Sequence, residues 1–236
     1  MENPHRSPWT GDETVDIVAP KTVTKAHPDY CAAKTGDSEA AARLVMDIMD
    51  DEWIKRHAPE IIAESPILVG VHALEGMSVN MIGSAMDEWL SLQFVLPMDR
   101  DIVQINKVGH TGSSGWTRLA NQALFEGEVI PGAVYWLLDD FVGQGGTLAN
   151  LRGHIISGGG RIVGYTALTG RSDSAILGLT GETLKALREK HGQLEKWWKE
   201  RFGFGFEALT ESEARYLLRA EDADIIRNKI AEAKQD

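Results

Sequence analysis

In the stretch SEAAARLVMDIMDDEWIKRHA, apolar residues recur at helical spacing, so that Ala41, Leu44, Val45, Ile48, Met49 and Trp53 share one face. Asp37 or Ser38 stands where a cap is needed and Pro59 follows the last turn, so one amphipathic helix is predicted. Before it, residues 1–35 mix Pro, Thr, Asp and Lys without a period and read as an irregular arm draped over the domain, with no chemistry of its own. Pro66–Val71 (PILVGV) is a short β-branched run. A loop and the helically spaced SVNMIGSAMDEWL follow it, giving strand, loop, helix. Val103–Val108 reads as a second strand, and Gly109–Gly115 (GHTGSSG) as a mobile loop. Ala133–Leu138 is a continuous apolar run ending in Asp139 and Asp140. Beyond it a loop opens a helix on which Leu148, Leu151 and Ile155 share a face, Gly158–Gly160 stops that helix, and Arg161–Leu168 is another strand.

This alternation predicts an α/β fold, a parallel sheet with helices on both faces, occupying residues 60–171. Residues 1–59 form its N-terminal arm and helix. Residues 172–236 form a helical extension, in which Gly181–Lys199 is charge-laced and Thr210-x-x-Glu213 is a capping box.

Composition narrows the class. The chain has 236 residues, 43% apolar, enough for one substantial core. A net charge of −11 with no basic stripe argues against general nucleic-acid binding. The single cysteine, Cys31, excludes an intrachain disulfide and an all-cysteine metal site. With no apolar run near the roughly 20 residues of a membrane span and no leader-like start, a soluble cytoplasmic protein is expected.

The candidate chemistry lies in DDFVGQGGTL. A phosphorylated ribose needs carboxylates for its hydroxyls and free backbone N–H groups for its phosphate. Asp139 and Asp140 end a predicted parallel strand, where open α/β sheets bind ligands. Gly143, Gly145 and Gly146 let the backbone approach an anion, and the helix starting near Thr147 adds unpaired N–H groups and a hydroxyl. A Walker A loop fails because no Lys follows Gly146, and a dinucleotide fingerprint from Gly143 fails because position 148 is Leu. A hydrolase elbow at Gly112 fails because position 116 is Trp.

Hydrophobic run, two acids, hydrophobic pair, Gly/Thr loop and helix together resemble the phosphoribosyl pyrophosphate (PRPP) motif of type I phosphoribosyltransferases. ILVGVHALEGMSVNMIGSAMDEWL resembles that family's first strand, pyrophosphate loop and helix, and INKVGHTGSSG its strand and flexible hood loop, the spacing being similar to ComF-like members. The resemblance covers residues 60–171 and implies a phosphoribosyltransferase-type fold. It implies that Asp139 and Asp140 hold the ribose hydroxyls and Gly143, Gln144, Gly145, Gly146 and Thr147 the 5′-phosphate. His72, Ala73, Leu74, Glu75 and Gly76 would lie against pyrophosphate, with Lys107 adding positive charge. Gly109, His110, Thr111, Gly112, Ser113 and Ser114 would form the lid. Mg²⁺ would arrive on PRPP, with Asp139 and Asp140 as direct or outer partners.

The implied reaction, in nucleotide metabolism, is displacement of pyrophosphate at ribose C1 by a nitrogen nucleophile, one acid stabilising the developing positive charge. A homodimer is expected, and the acceptor base is left open. Two residues depart from the family pattern: Gln144 replaces a threonine, and the pyrophosphate loop carries Glu75 and no basic residue. They keep a second class in view, a non-catalytic PRPP- or nucleotide-binding regulator or nucleic-acid-processing partner. His72-x-x-Glu75 offers two ligands where a catalytic zinc takes three. Trp197, Trp198, Phe202, Phe204 and Phe206 read as the core of the extension.

Overall fold

A strand with no polar position for five residues must be covered on both faces. That strand, Val134–Val142, is the centre of the sheet. The computed structural model describes residues 3–11, 13–71, 80–106, 108 and 114–233. In chain order the elements are β1 (Asp16–Pro20), α1 (Lys21–Ala26), α2 (Tyr30–Lys34), α3 (Ser38–Ile48), α4 (Asp51–Glu64), β2 (Ile67–Gly70) and α5 (Ile82–Phe94). Then come β3 (Val103–Gln104), α6 (Gly115–Ala120), β4 (Phe125–Glu126), β5 (Val134–Val142), α7 (Gly146–Ser157), β6 (Arg161–Gly170), α8 (Gly181–Phe202), α9 (Glu211–Leu218) and α10 (Ala223–Glu232).

The main sheet runs β1-β6-β5-β2 and every pairing in it is parallel. Alternation along β5 sends Trp136 and Leu138 to one face, with Leu44, Met86 and Leu90 of α3 and α5. It sends Tyr135 and Leu137 to the other, with Leu148, Leu151 and Ile155 of α7. Each fully buried aliphatic side chain contributes about 1.5–3 kcal/mol, so the two apolar faces fix the strand's register. The chain is thus an α/β fold with a parallel sheet and helices on both faces. Because α5 leaves β2 on one face and α7 leaves β5 on the other, the crevice beyond the carboxyl ends of β2 and β5 is the ligand-binding position of such a sheet.

Three expectations need correction. The N-terminal arm is not irregular: β1 pairs with β6, its Ala19 carbonyl accepts from Thr169 Oγ1 at 2.8 Å, and Asp16 accepts from Trp53 Nε1 at 2.6 Å with His57 3.2 Å away. Hydrophobic alternation over five residues is too short a signal once Pro and Asp interrupt it. The single helix before Pro59 is two helices, because the Asp50 carboxylate accepts from the backbone of Glu52 and Trp53 at 3.0 and 2.9 Å and starts a new one. Pro59 lies inside α4, where it and Lys55, whose carbonyl it cannot serve, are both exposed to water. Val103–Val108 does not join the main sheet. Among the described residues of that stretch only Val103–Gln104 is a strand, antiparallel to β4, after which the Asn106 side chain ties Gln122 and Leu124 into a polar turn.

The aromatic residues of the C-terminal helices do form a core: Trp198, Phe202, Phe204 and Phe206 are buried, with Trp198 and Phe202 rings 4.4 Å apart. In the middle of α8, His191 departs from helical geometry (φ −128°, ψ 17°) and its ring is fully buried beside the backbone of Leu217 and Ala220. Burial, then the charge of Lys190, pulls its pKa below the ordinary range, with Asp222 the opposing charge nearby. A folded-state pKa below the unfolded value of about 6.5 means that the unfolded chain binds more protons. Stability should therefore fall as pH drops from about 7.5 to 5. His191→Leu should flatten that slope in melting curves, each kcal/mol of linkage appearing as about 2–4 °C; parallel slopes in the two proteins would reject the assignment.

Candidate functional site

Between β5 and α7 the chain turns in three residues, Gly143, Gln144 and Gly145. Gly145 has φ +79°, and a Cβ there would come within 2.6 Å of Leu177. Only glycine meets both demands. The loop's carbonyls are tied down from one side: Gly143 O accepts from Ser174 Oγ, Gln144 O from Thr210 Oγ1, and Gly146 O from Arg6 Nη2 at 3.3 Å. In a planar trans peptide, each carbonyl points opposite to the N–H that follows it. The N–H groups of Gln144, Gly145 and Thr147 are thereby turned away from the C-terminal helices. Among the described residues, no backbone N–H from Gly143 to Leu148 donates to a protein acceptor, and neither does the Thr147 hydroxyl. Backbone donors left unpaired at a helix start are a feature from which anion sites are built.

Beside it stand the two acids. They lie within β5 rather than after it, so alternation sends them to opposite faces. Asp139 is buried at 6% exposure, and its Oδ1 accepts from the backbone N–H of Asp140 at 2.8 Å. Burial, reinforced by the neighbouring Asp140 carboxylate, pushes the Asp139 carboxyl well above the usual range, and Lys34 offsets this only in part. Asp140 falls on the α3/α5 face, where Lys34 Nζ donates to its Oδ2. Burial pulls the Lys34 ammonium down, but the charge and hydrogen bond of Asp140 outweigh that and leave its pKa raised.

Cations flank the loop. A Cβ on Gly143 would overlap Arg118 Nη1, so the guanidinium lies directly against the glycine. Burial, then the charge of Arg171, lowers the Arg118 pKa. Arg171 follows β6, donates its N–H to Val142 O at 3.0 Å and pairs with Asp173 at 2.7 Å. Gln144 is itself buried, and its Oε1 has no partner among the described residues.

The structure thus brings together Asp139, Asp140, Gly143, Gln144, Gly145, Gly146 and Thr147 at the carboxyl end of β5. Lys107, the pyrophosphate-loop residues His72, Ala73, Leu74, Glu75 and Gly76, and the lid residues Gly109 to Ser113 lie outside the described residues. Ser114, the last lid residue, is the cap of α6, its Oγ accepting from Thr117 N–H at 3.1 Å. Where β2 ends, Gly70 N–H donates to the buried Asp87 at 3.1 Å, and a Cβ on Gly70 or Gly83 would strike Asp87 or the Val71 carbonyl. Among the described residues no three His, Cys, Asp or Glu side chains are grouped to hold a metal, and Lys34 occupies Asp140. With Lys34 on one Asp140 oxygen, a Mg²⁺ ion at this site would be held mainly by the phosphates of a ligand.

Sequence reasoning missed Lys34, Arg118, Arg171 and Arg6. Only Arg171 had a signal, its place just after a predicted strand.

No family model matches the chain. It is 37% identical over 239 residues to Protein TraN of Escherichia coli, covering 98% of this chain and 52% of TraN. It is 38% identical over 152 residues to an uncharacterized protein of Haemophilus influenzae, covering 64% of this chain and 34% of that one. Among solved structures, Leishmania donovani UMP synthase covers 75% of this chain and 35% of its own, with 17% identity and a TM-score of 0.31. No helix among the described residues is long and apolar enough to cross a membrane. Nearly the whole chain is therefore similar to about half the length of TraN.

Proposed function

We propose that this chain binds PRPP, with the 5′-phosphate on Gly143–Thr147 and the ribose hydroxyls on Asp139 and Asp140, and transfers the phosphoribosyl group to a nitrogen nucleophile. The observation that carries this reading is the set of peptide units whose carbonyls are pinned to Ser174, Thr210 and Arg6, leaving N–H donors beside an acid pair. Backbone donors and a helix start suit a phosphate dianion, and carboxyls suit vicinal hydroxyls. Arg118 supports the reading as a second phosphate anchor, because its guanidinium already lies against Gly143. In the transfer the C1–O bond to pyrophosphate breaks as the C1–N bond forms, the bonding pair leaves with pyrophosphate, and the nucleophile's proton passes to the released pyrophosphate or to water. Asp140, as a carboxylate, stabilises positive character on the sugar, and Asp139, held towards its protonated form, donates to a hydroxyl. Mg²⁺ carried on PRPP would neutralise the leaving pyrophosphate.

Calorimetry with PRPP and Mg²⁺, followed by pyrophosphate release over a panel of bases, tests the proposal. Asp140→Asn is expected to weaken PRPP binding about tenfold or more, equivalent to about 1.4 kcal/mol. No binding of PRPP to the native chain would overturn the proposal. Glu75, which puts negative charge in a segment without Lys or Arg, favours a second reading: a regulator or nucleic-acid-processing partner that binds PRPP without turning it over. Binding with no pyrophosphate release from any base would select it.

A further inference from the structure

Lys34 sits on a fixed piece of backbone. It is the last residue of α2, whose Ala33 is fully buried, and the Ala33 carbonyl accepts from Met81 N–H at 3.2 Å, tying α2 to the start of α5. On the other side Asp37 N–H donates to Ala32 O at 3.0 Å, and Asp29 at the head of α2 is paired with Arg43 of α3 at 2.8 Å. The ammonium is therefore delivered to Asp140 by packed helices. With side-chain exposures of 34% for Lys34 and 15% for Asp140, the pair is substantially shielded from water.

Two adjacent acids at the end of a strand repel each other and any phosphate brought near them. On the Asp140 side of the strand, the cation in contact is Lys34. The stretch His72–Gly76 has no Lys or Arg. One Asp140 oxygen, Oδ2, is already taken by Lys34 Nζ.

We propose that Lys34 is the resident cation of the phosphoribose site, neutralising and orienting Asp140 so that a ribose 5-phosphate binds without a divalent metal ion. This rests on the phosphoribosyl reading given above. It goes further in assigning to an N-terminal lysine the work of a metal ion at the sugar. The amino group remains on one Asp140 oxygen and leaves the other to accept from a ribose hydroxyl, so Lys34 is a positioning residue acting through Asp140.

The full chain should be titrated calorimetrically with ribose 5-phosphate, which has no pyrophosphate to bring its own Mg²⁺, in EDTA and in excess Mg²⁺. Native affinity is expected to agree within about twofold between the two buffers. Lys34→Met is expected to lose at least tenfold in EDTA and to regain part of that with Mg²⁺, whereas Lys34→Arg, checked for folding by circular dichroism, should bind as the native chain does. Native binding that needs Mg²⁺ overturns this inference and leaves the phosphoribosyl reading standing. Lys34→Met binding as tightly as native in EDTA does the same. No ribose 5-phosphate binding in either buffer overturns the inference together with the reading beneath it.

Discussion

Replacing Arg6 by alanine is expected to cost about 3–5 kcal/mol, the range seen when one partner of a buried ion pair is removed. The expectation comes from what surrounds the guanidinium. Arg6 donates to both Glu213 oxygens at 2.6 and 2.9 Å, to Asn150 Oδ1 at 2.5 Å, to Ala208 O at 3.1 Å and to Gln122 Oε1 and Gly146 O at 3.3 Å. The side chains of Arg6 and Glu213 are only 1% and 3% exposed. Without Arg6, Glu213 keeps the Thr210 N–H at 2.9 Å but remains a buried carboxylate with no counter-charge. For a chain of this length the loss should lower the melting temperature by about 6–20 °C. The double replacement Arg6→Met with Glu213→Gln removes both charges and should recover most of the loss. A double variant as unstable as the single one would show that shape, not charge, governs the site. Because Arg6 also holds the Gly146 carbonyl, the single variant should bind phosphoribose more weakly even below its melting transition.

The Arg6 network also marks how far the sequence could be read. The central strand and its loop were legible because β5 is an unbroken apolar run and because Gly145 and Gly146 stand before helically spaced Leu148, Leu151 and Ile155. The acids were legible as chemistry because charge at the end of a buried strand needs a reason. Their separate environments were not. Only once both lie within β5 does alternation put Asp139 into the core and Asp140 beside Lys34. Lys34 and Arg6 are 106 and 207 residues from their carboxylate partners, and no local period encodes a contact at that distance. Pro59 misled in the opposite direction, because a proline usually ends a helix and here exposure makes the missing hydrogen bond cheap. The edge strand β1 escaped detection because its side chains are mostly half-buried and its pairing with β6 depends on backbone groups common to any residue.

Asp139→Asn should make the protein more stable and a poorer binder at once. The Asp139 carboxyl is buried and pushed well above its ordinary range, by desolvation first and by Asp140 second. The unfolded chain releases this proton near pH 3.9, while the folded chain holds it to a higher pH. Between those values the folded state binds more protons, so the contribution of Asp139 to stability is present below about pH 3.9 and is lost as pH rises through the folded-state pKa. Asparagine carries no proton to lose, and its Oδ1 can still accept from the Asp140 N–H that now meets Asp139 at 2.8 Å. Melting curves should place the variant above the native chain at pH 8, by about 2–4 °C for each kcal/mol released, with the gap closing towards pH 4. The same variant should bind ribose 5-phosphate about tenfold more weakly, since an amide replaces an acid proton and a potential charge at the sugar. A residue that costs stability where it assists a ligand is what a site under functional selection retains. A variant less stable than native at every pH would instead make Asp139 a structural strand-end residue and remove it from the site.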